Sequence, residues 1–514
     1  MASNHLTVPA PAPEPGRPAP GRPTPDATSN ATRLLCAGTY LDPVYRTAVI
    51  RELLTHRFRV VAPSYGYDAV PVLGHALAAR RLHRMRLAAL AAGAALILVL
   101  TVAGALGGFT AFLLVLWLLW ATAFFRRVVT LQVLVRRLRP RSDGRFDGAY
   151  PEHPDLTREL VHKINRQQTA DGTIIRYGGY KPFVGAGVPV RNWSNAQLLV
   201  GAPESPFEAG RPAPAVPGAV GRELRRKQVV PFTAEEMTAR IAERMQQVLR
   251  DQTAADQRID GLTVERSTFT TAVTTVRDVG RDPTPEDLDR PFVDDPHEPG
   301  RVYLCIRVGT WDQELVTTAF VGFDLKGNTL HTEFYSYVLA PIEESFRLVD
   351  RLPERLDGKL LLKVAWHTLG GSPGATVRSA MLRTGTLVMP WKRDRVKVPQ
   401  PLDTSEFGFG RYADLLVNRG AVTSVREMAT RDTFRVFFQQ TDTVKYTQIV
   451  ERQLLHVIGE FLYEHNVDLA EYEARQTNIL NQNFGSNNTF GSHSNFGPGN
   501  QFNNNSGSQS RQGA

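Results

Sequence analysis

The sequence predicts an α+β cytosolic domain with an antiparallel sheet, attached to an α-helical transmembrane hairpin and bounded by disordered termini. Three observations lead there. Residues 87–125 hold no charged side chain, and the run is close to twice the roughly 20 apolar residues one helix needs to cross about 30 Å of hydrocarbon. Between 147 and 440, alternating apolar segments and Gly-Asn turn chemistry stand beside capped helical patterns. The two ends carry too little apolar mass to fold, being Pro-rich at the front and Asn/Gly/Ser-rich at the back.

The 514 residues have a net charge of +9, and its distribution decides what it means. Residues 33–145 hold sixteen arginines against four acids, so the remainder of the chain is slightly acidic. The basic excess belongs to the flanks of the apolar run, where each basic residue near an anionic leaflet gains about 1 kcal/mol. Membrane lipids are therefore the expected partner, and no nucleic acid is. Cys36 and Cys305 are the only cysteines and form no CxxC pair, which excludes a disulfide scaffold and suits a reducing compartment.

In chain order, residues 1–32 read as a disordered Pro-rich leader and 33–86 as an N-terminal helical segment. Asp42 precedes Pro43 as a cap and first helical residue, and Asp68 caps a second helix that runs into the first span. Within 87–125, Gly104, Gly107 and Gly108 interrupt the Leu/Ala/Val run, so two helices joined by a very tight turn are expected. Arg80, Arg81, Arg84 and Arg86 precede the run; Arg126, Arg127, Arg136, Arg137 and Arg139 follow it. Arginine beside a span stays on the cytoplasmic side, and only a hairpin satisfies both clusters. The expected location is the inner (cytoplasmic) membrane, multi-pass, with both termini cytoplasmic. A re-entrant hairpin is the alternative, because the turn has no polar anchor; a long buried helix of a soluble core is the plain one. Residues 126–146 read as a basic juxtamembrane helix lying on or emerging from the inner leaflet, with Leu131, Leu134, Val135 and Leu138 on one arc.

The 147–440 domain opens with strands and tight turns over 172–203. Thr233 to Glu236 form a capping box before a helix with a Met237, Ile241, Met245, Leu249 stripe. Residues 262–279 read as a strand or strand pair, and 302–308 place Val302, Leu304, Ile306 and Val308 on one face. Gly327-Asn328 turns a hairpin, 341–352 is helical, and 360–367 and 384–391 add strands. Residues 441–476 form a C-terminal amphipathic helix around Val450, Leu454, Val457 and Phe461.

Chemistry is absent from the motifs. No HExxH, nucleophile elbow or kinase set occurs, and no catalytic residue, metal or cofactor is assigned. Residues 178–187 are glycine-rich and resemble a phosphate loop only superficially: the GK[ST] ending is missing and Pro189 argues against the helix that would hold the phosphate. Asp294–Glu298 reads as a solvated loop, and Glu343, Glu344 and Arg347 as an ordinary helix surface.

The tail, 477–514, repeats Phe484, Phe490, Phe496 and Phe502 every six residues among Asn, Gln, Gly and Ser. In-register stacking would ladder the amides and stack the rings without charge repulsion. The segments NFGSNNTF and NFGPGNQFNNN resemble amyloid signalling motifs at the ends of bacterial and fungal defence proteins, themselves similar to the homotypic motif of necroptosis kinases. That resemblance implies a tail that nucleates on a partner's tail and drives a membrane-active effector. The stretch FLYEHNVDLAEYEARQTNILN resembles uncharacterised two-span membrane proteins of high-GC bacteria, which implies no activity. The expected function is a membrane-anchored scaffold or effector acting through protein association, as a homo-oligomer or with a tail-mediated protein partner. The rival is a membrane-tethered enzyme with its site spread over 147–440.

Overall fold

The structure, a computed structural model, describes residues 25–140 except 57, then 146–169, 173–204, 226–276, 291–292, 299–353, 357–358, 362–366, 415–430, 434 and 436–481. It contains helices and a six-stranded mixed sheet whose strands are mostly antiparallel, preceded in the chain by two long apolar helices.

Helical order begins inside the stretch read as leader. A 3-10 turn at Pro25–Thr28 leads to α1, Asn30–Leu41, whose cap Ser29 accepts from the Thr32 amide. Asp42 caps α2, Pro43–Ile50, through the Val44 amide, with Pro43 supplying the preset φ of the first turn. Asp68 caps α3, Ala69–Val102, in the same way through Val70, and α3 then continues without a break into the apolar run. The turn at 103–107 reverses the chain on Gly104, whose φ of 76° lies in the left-handed region that a side chain disfavours. α4, Gly108–Val133, returns along α3. A Cβ on Gly93 would lie 2.7 Å from Leu118, so the two helices approach closely there.

Beyond the apolar run, the helix read over 126–146 continues as far as Leu138 and runs into protein. α4 continues through a widened turn, Leu134–Leu138, and Leu134 and Leu138 are fully buried in protein rather than laid on a leaflet. They join a helical core with Leu34 and Leu35 of α1, Leu73 and Leu77 of α3, and Ile164 of α5, Arg158–Gln168. Gln168, at the end of α5, binds both sides of the α3 cap: its amide nitrogen donates to Asp68 Oδ1 at 3.0 Å, and its oxygen accepts from the Ala69 amide at 2.9 Å. The same core takes Phe346 and Val349 from residues 341–352, which are 3-10 over Glu344–Arg351. Packing therefore runs across the expected boundary at 147.

The sheet has the order β1-β3-β5-β6-β7-β2, formed by β1 (Ile174–Tyr177), β2 (Val188–Leu198), β3 (Leu262–Thr271), β5 (Arg301–Thr310), β6 (Leu315–Lys326) and β7 (Thr329–Leu339). β1 is parallel to β3 and the other pairs are antiparallel. A separate pair joins β4, Val273–Val276, to β8, Leu415–Asn418. Period-two alternation separates the faces of β5: Leu304, Ile306 and Val308 face a helical layer, Tyr303 and Cys305 an aromatic one. In that second layer Phe183 stacks on Phe320 at 4.1 Å between centroids. β6, central and covered on both sides, is buried continuously over 315–322.

The helical layer consists of α6 (Ala234–Gln246), α7 (Phe437–Glu464) and α8 (Ala470–Asn481). Thr233 caps α6 through the Glu236 amide, and Met237, Ile241, Met245 and Leu249 pack inward. The single helix expected over 441–476 is two, broken after Glu464, where Asn466 takes a φ of 61°. Val450, Leu454, Val457 and Phe461 are buried against the sheet, so that face is not free to pair chains. Residues 362–366 are helical rather than extended, and 384–391 lie outside the described residues.

Candidate functional site

The hairpin has the composition of a buried helix pair and the exposure of a surface. None of the apolar window of α3 and 11% of that of α4 is buried. Leu98, Val99, Val102, Phe109, Phe112 and Trp117 project outward. A soluble core helix of this hydropathy would hide it. Two helices here are thus long and apolar enough to cross a membrane.

Antiparallel packing brings the nine arginines together at the open end of the hairpin. Arg81, Arg84, Arg127, Arg136 and Arg137 are exposed; Arg80, Arg86, Arg126 and Arg139 are half-buried. Arg80 pairs with Asp155, just before α5, at 2.6 Å. Trp120 stacks on Phe124 at 5.5 Å, close to this band. Phe484, Phe490, Phe496 and Phe502 lie outside the described residues.

Beneath the hairpin lies a polar joint that the sequence did not disclose. Arg33 of α1 donates to the carbonyl of Leu138 at 3.0 Å, pairs with Asp350 at 2.7 Å and donates to Asn30 at 3.0 Å. The Asn30 amide donates to the Glu314 carboxylate, which is ion-paired with Arg347. Arg347, read as part of an ordinary helix surface, is instead nearly buried. Arg426, fully buried, donates to the carbonyls of Tyr65 at 2.8 Å and Glu314 at 2.7 Å. Burial pushes the Arg426 guanidinium down to about 10, which leaves it charged at neutral pH.

This joint supports an unusual β5–β6 turn. Trp311, Asp312 and Gln313 have φ of 55°, 52° and 65°, three consecutive non-glycine residues in the left-handed region. Each costs about 1–2 kcal/mol relative to the right-handed form, so the surroundings must hold them. Trp311 donates through its indole to Asp442 of α7 at 3.0 Å, and Glu314, the residue that follows the turn, is held by Asn30 and Arg347. The hairpin base, the helical core and the sheet thus meet at one hydrogen-bonded cluster. Its members are scattered from 30 to 426, with no spacing pattern that would mark them.

The glycine loop at 178–187 is resolved differently from a phosphate site. The Gly185 and Gly187 amides donate to one Glu427 oxygen at 3.0 and 3.1 Å, so an acid of this chain occupies the donors. The thiols of Cys36 and Cys305 are buried, and desolvation pushes Cys305 up to about 12, away from nucleophile chemistry. Among the described residues, no three His, Cys, Asp or Glu side chains gather as a metal site.

A second buried acid gives a pH test. Glu451 of α7 accepts from Arg191 and from the Trp193 indole, both at 2.7 Å. Desolvation nevertheless raises its carboxyl pKa, with Arg191 opposing. A carboxyl raised in the folded state favours folding when protonated, so its contribution is most favourable below the unfolded value and falls as pH rises through the folded one. Comparing urea midpoints of the wild-type and Glu451→Gln chains across that window should show the wild-type losing ground as pH rises; parallel profiles would refute the assignment.

An AbeC-like domain model matches residues 192–497, from within β2 to beyond α8. No curated protein and no solved structure matches the chain. The matched region holds most of the sheet, its helical layer and the positions of Phe484, Phe490 and Phe496, while the hairpin precedes it. With more than half of its length matched, the chain belongs to the AbeC-like domain family.

Proposed function

We propose that the chain is a membrane-anchored scaffold or effector: the hairpin holds the AbeC-like domain at the cytoplasmic face of the inner membrane, and tail assembly triggers it. The observation that carries this reading is the continuity of α3 and α4 from exposed apolar surface into protein core. Leu73 and Leu77 of α3 and Leu134 and Leu138 beyond α4 are fully buried beside α1, while the middle of the same hairpin exposes leucine, valine and phenylalanine. An anchor built this way transmits position and orientation rigidly, because packed cores shift between discrete arrangements instead of bending. Confinement to two dimensions raises the encounter rate of the tails, and phenylalanine every six residues supplies in-register stacking.

The test uses the full chain in liposomes with reporters at each terminus. Both reporters should label from the same side, and replacing all four tail phenylalanines with serine should abolish assembly without releasing the protein from the membrane. Opposite-side labelling overturns the hairpin topology. Unchanged assembly of the serine variant removes the tail from the mechanism.

A further inference from the structure

The described residues include one short apolar element outside the hairpin that sits against it. Residues 362–366 form a helical turn, and the Ala365 carbonyl accepts from the Trp120 indole of α4 at 3.5 Å. Leu362 and Trp366, four apart and therefore on one helical face, are 71% and 75% exposed. Two large apolar side chains so open to solvent are costly in water, where full burial of one such residue gains about 1.5–3 kcal/mol.

The position relative to the hairpin identifies what covers them. Trp120 lies six residues before Arg126, the first arginine of the basic band after the run. At about 1.5 Å per residue this is roughly 9 Å towards the hydrocarbon from that band. An apolar face lying in a bilayer interface sits about 5–10 Å into the headgroup and acyl boundary, which is the same depth. Exposed Lys363, adjacent in the turn, has the length to reach back to the headgroups, and tryptophan is the side chain preferred at this level.

Resting on the hairpin's membrane insertion, we infer that residues 362–366 form a third membrane contact, seating Leu362 and Trp366 in the bilayer interface beside Trp120. The sheet domain would then touch lipid through its own chain as well as through the anchor, at a position about 240 residues after the hairpin. Such a contact, off the hairpin itself, limits rotation of the domain about the hairpin axis. The lipid is a general bilayer surface, recognised by apolar insertion and not by headgroup chemistry.

The experiment places a nitroxide at one site at a time on the full chain in vesicles of phosphatidylcholine and phosphatidylglycerol. The sites are Leu362→Cys, Trp366→Cys, Val99→Cys in the hairpin and Tyr463→Cys at the distal end of α7, all exposed positions whose replacement leaves the core intact. The unsubstituted chain, with Cys36 and Cys305 buried, measures background labelling. Labels at 362 and 366 should collide with oxygen several-fold more than with a water-soluble nickel chelate, as at 99, with the reverse at 463. If 362 and 366 behave like 463 while 99 reports acyl chain, the third contact is refuted and the hairpin stands. If 99 also reports water, both readings fall. If 362 and 366 are shielded from oxygen and nickel alike, protein covers them and the lipid assignment is overturned.

Discussion

Replacing residues 87–125 with a short polar linker is expected to give a folded, water-soluble protein, whereas a chain begun at Asp147 is expected to lose its native structure. The ends of the excised segment lie on the antiparallel helices α3 and α4, which makes a short connection feasible. The excision removes the hairpin's exposed apolar surface and leaves the helical core, with Leu34, Leu35, Leu73, Leu77, Leu134 and Leu138, untouched. Starting at Asp147 removes all six of these fully buried leucines. At about 1.5–3 kcal/mol each, their loss is comparable with the roughly 5–15 kcal/mol net stability of a whole domain. It also strips Ile164, Phe346 and Val349 of packing partners and Gln168 of its bonds to Asp68 and Ala69. Ultracentrifugation and thermal unfolding read both outcomes. Equal melting of the two chains would show that the helical core is dispensable; pelleting of the excised chain with membranes would place the main anchor elsewhere.

Glu314→Ala is expected to destabilise the excised soluble chain by about 3–5 kcal/mol, the range for removing one partner of a buried ion pair. Arg347 would lose the carboxylate it faces and Asn30 its acceptor, in a region 4% exposed at Glu314. Arg347 keeps Asp350 at 3.9 Å, which offsets part of the loss. The left-handed turn at Trp311 to Gln313 would lose one of its two anchors. Glu314→Gln, which preserves an acceptor for Asn30 but no charge for Arg347, should fall between wild-type and alanine. Urea unfolding measures both, and a loss under about 1 kcal/mol for alanine would mean that the cluster relaxes around the deletion.

What can be read from the chain alone is what depends on neighbours a few residues apart. Asp42, Asp68 and Thr233 cap helices because a short side-chain acceptor there meets an amide two or three residues on. The charge-free run and Gly104 specify two apolar helices and a turn, since length, hydropathy and φ preference are local. Alternation at 302–308 and Gly327-Asn328 specify β5 and the β6–β7 hairpin for the same reason.

Partner choice is different. The apolar arc Leu131, Leu134, Val135 and Leu138 suits a leaflet or a protein core equally by pattern, and only the fold places Leu134 and Leu138 beside Leu34 and Leu73. The face of α7 could pair chains by its spacing, yet the sheet already covers it. Arg347 beside Glu343 and Glu344 resembles a solvated helix surface until Glu314, 33 residues earlier, closes on it. Hydrophobic pattern and charge state that a face must be satisfied; they do not state by what. The burial of Arg33, Glu314, Arg347 and Arg426 in one joint arises when distant segments converge and exclude water, and that was decided by the tertiary structure alone.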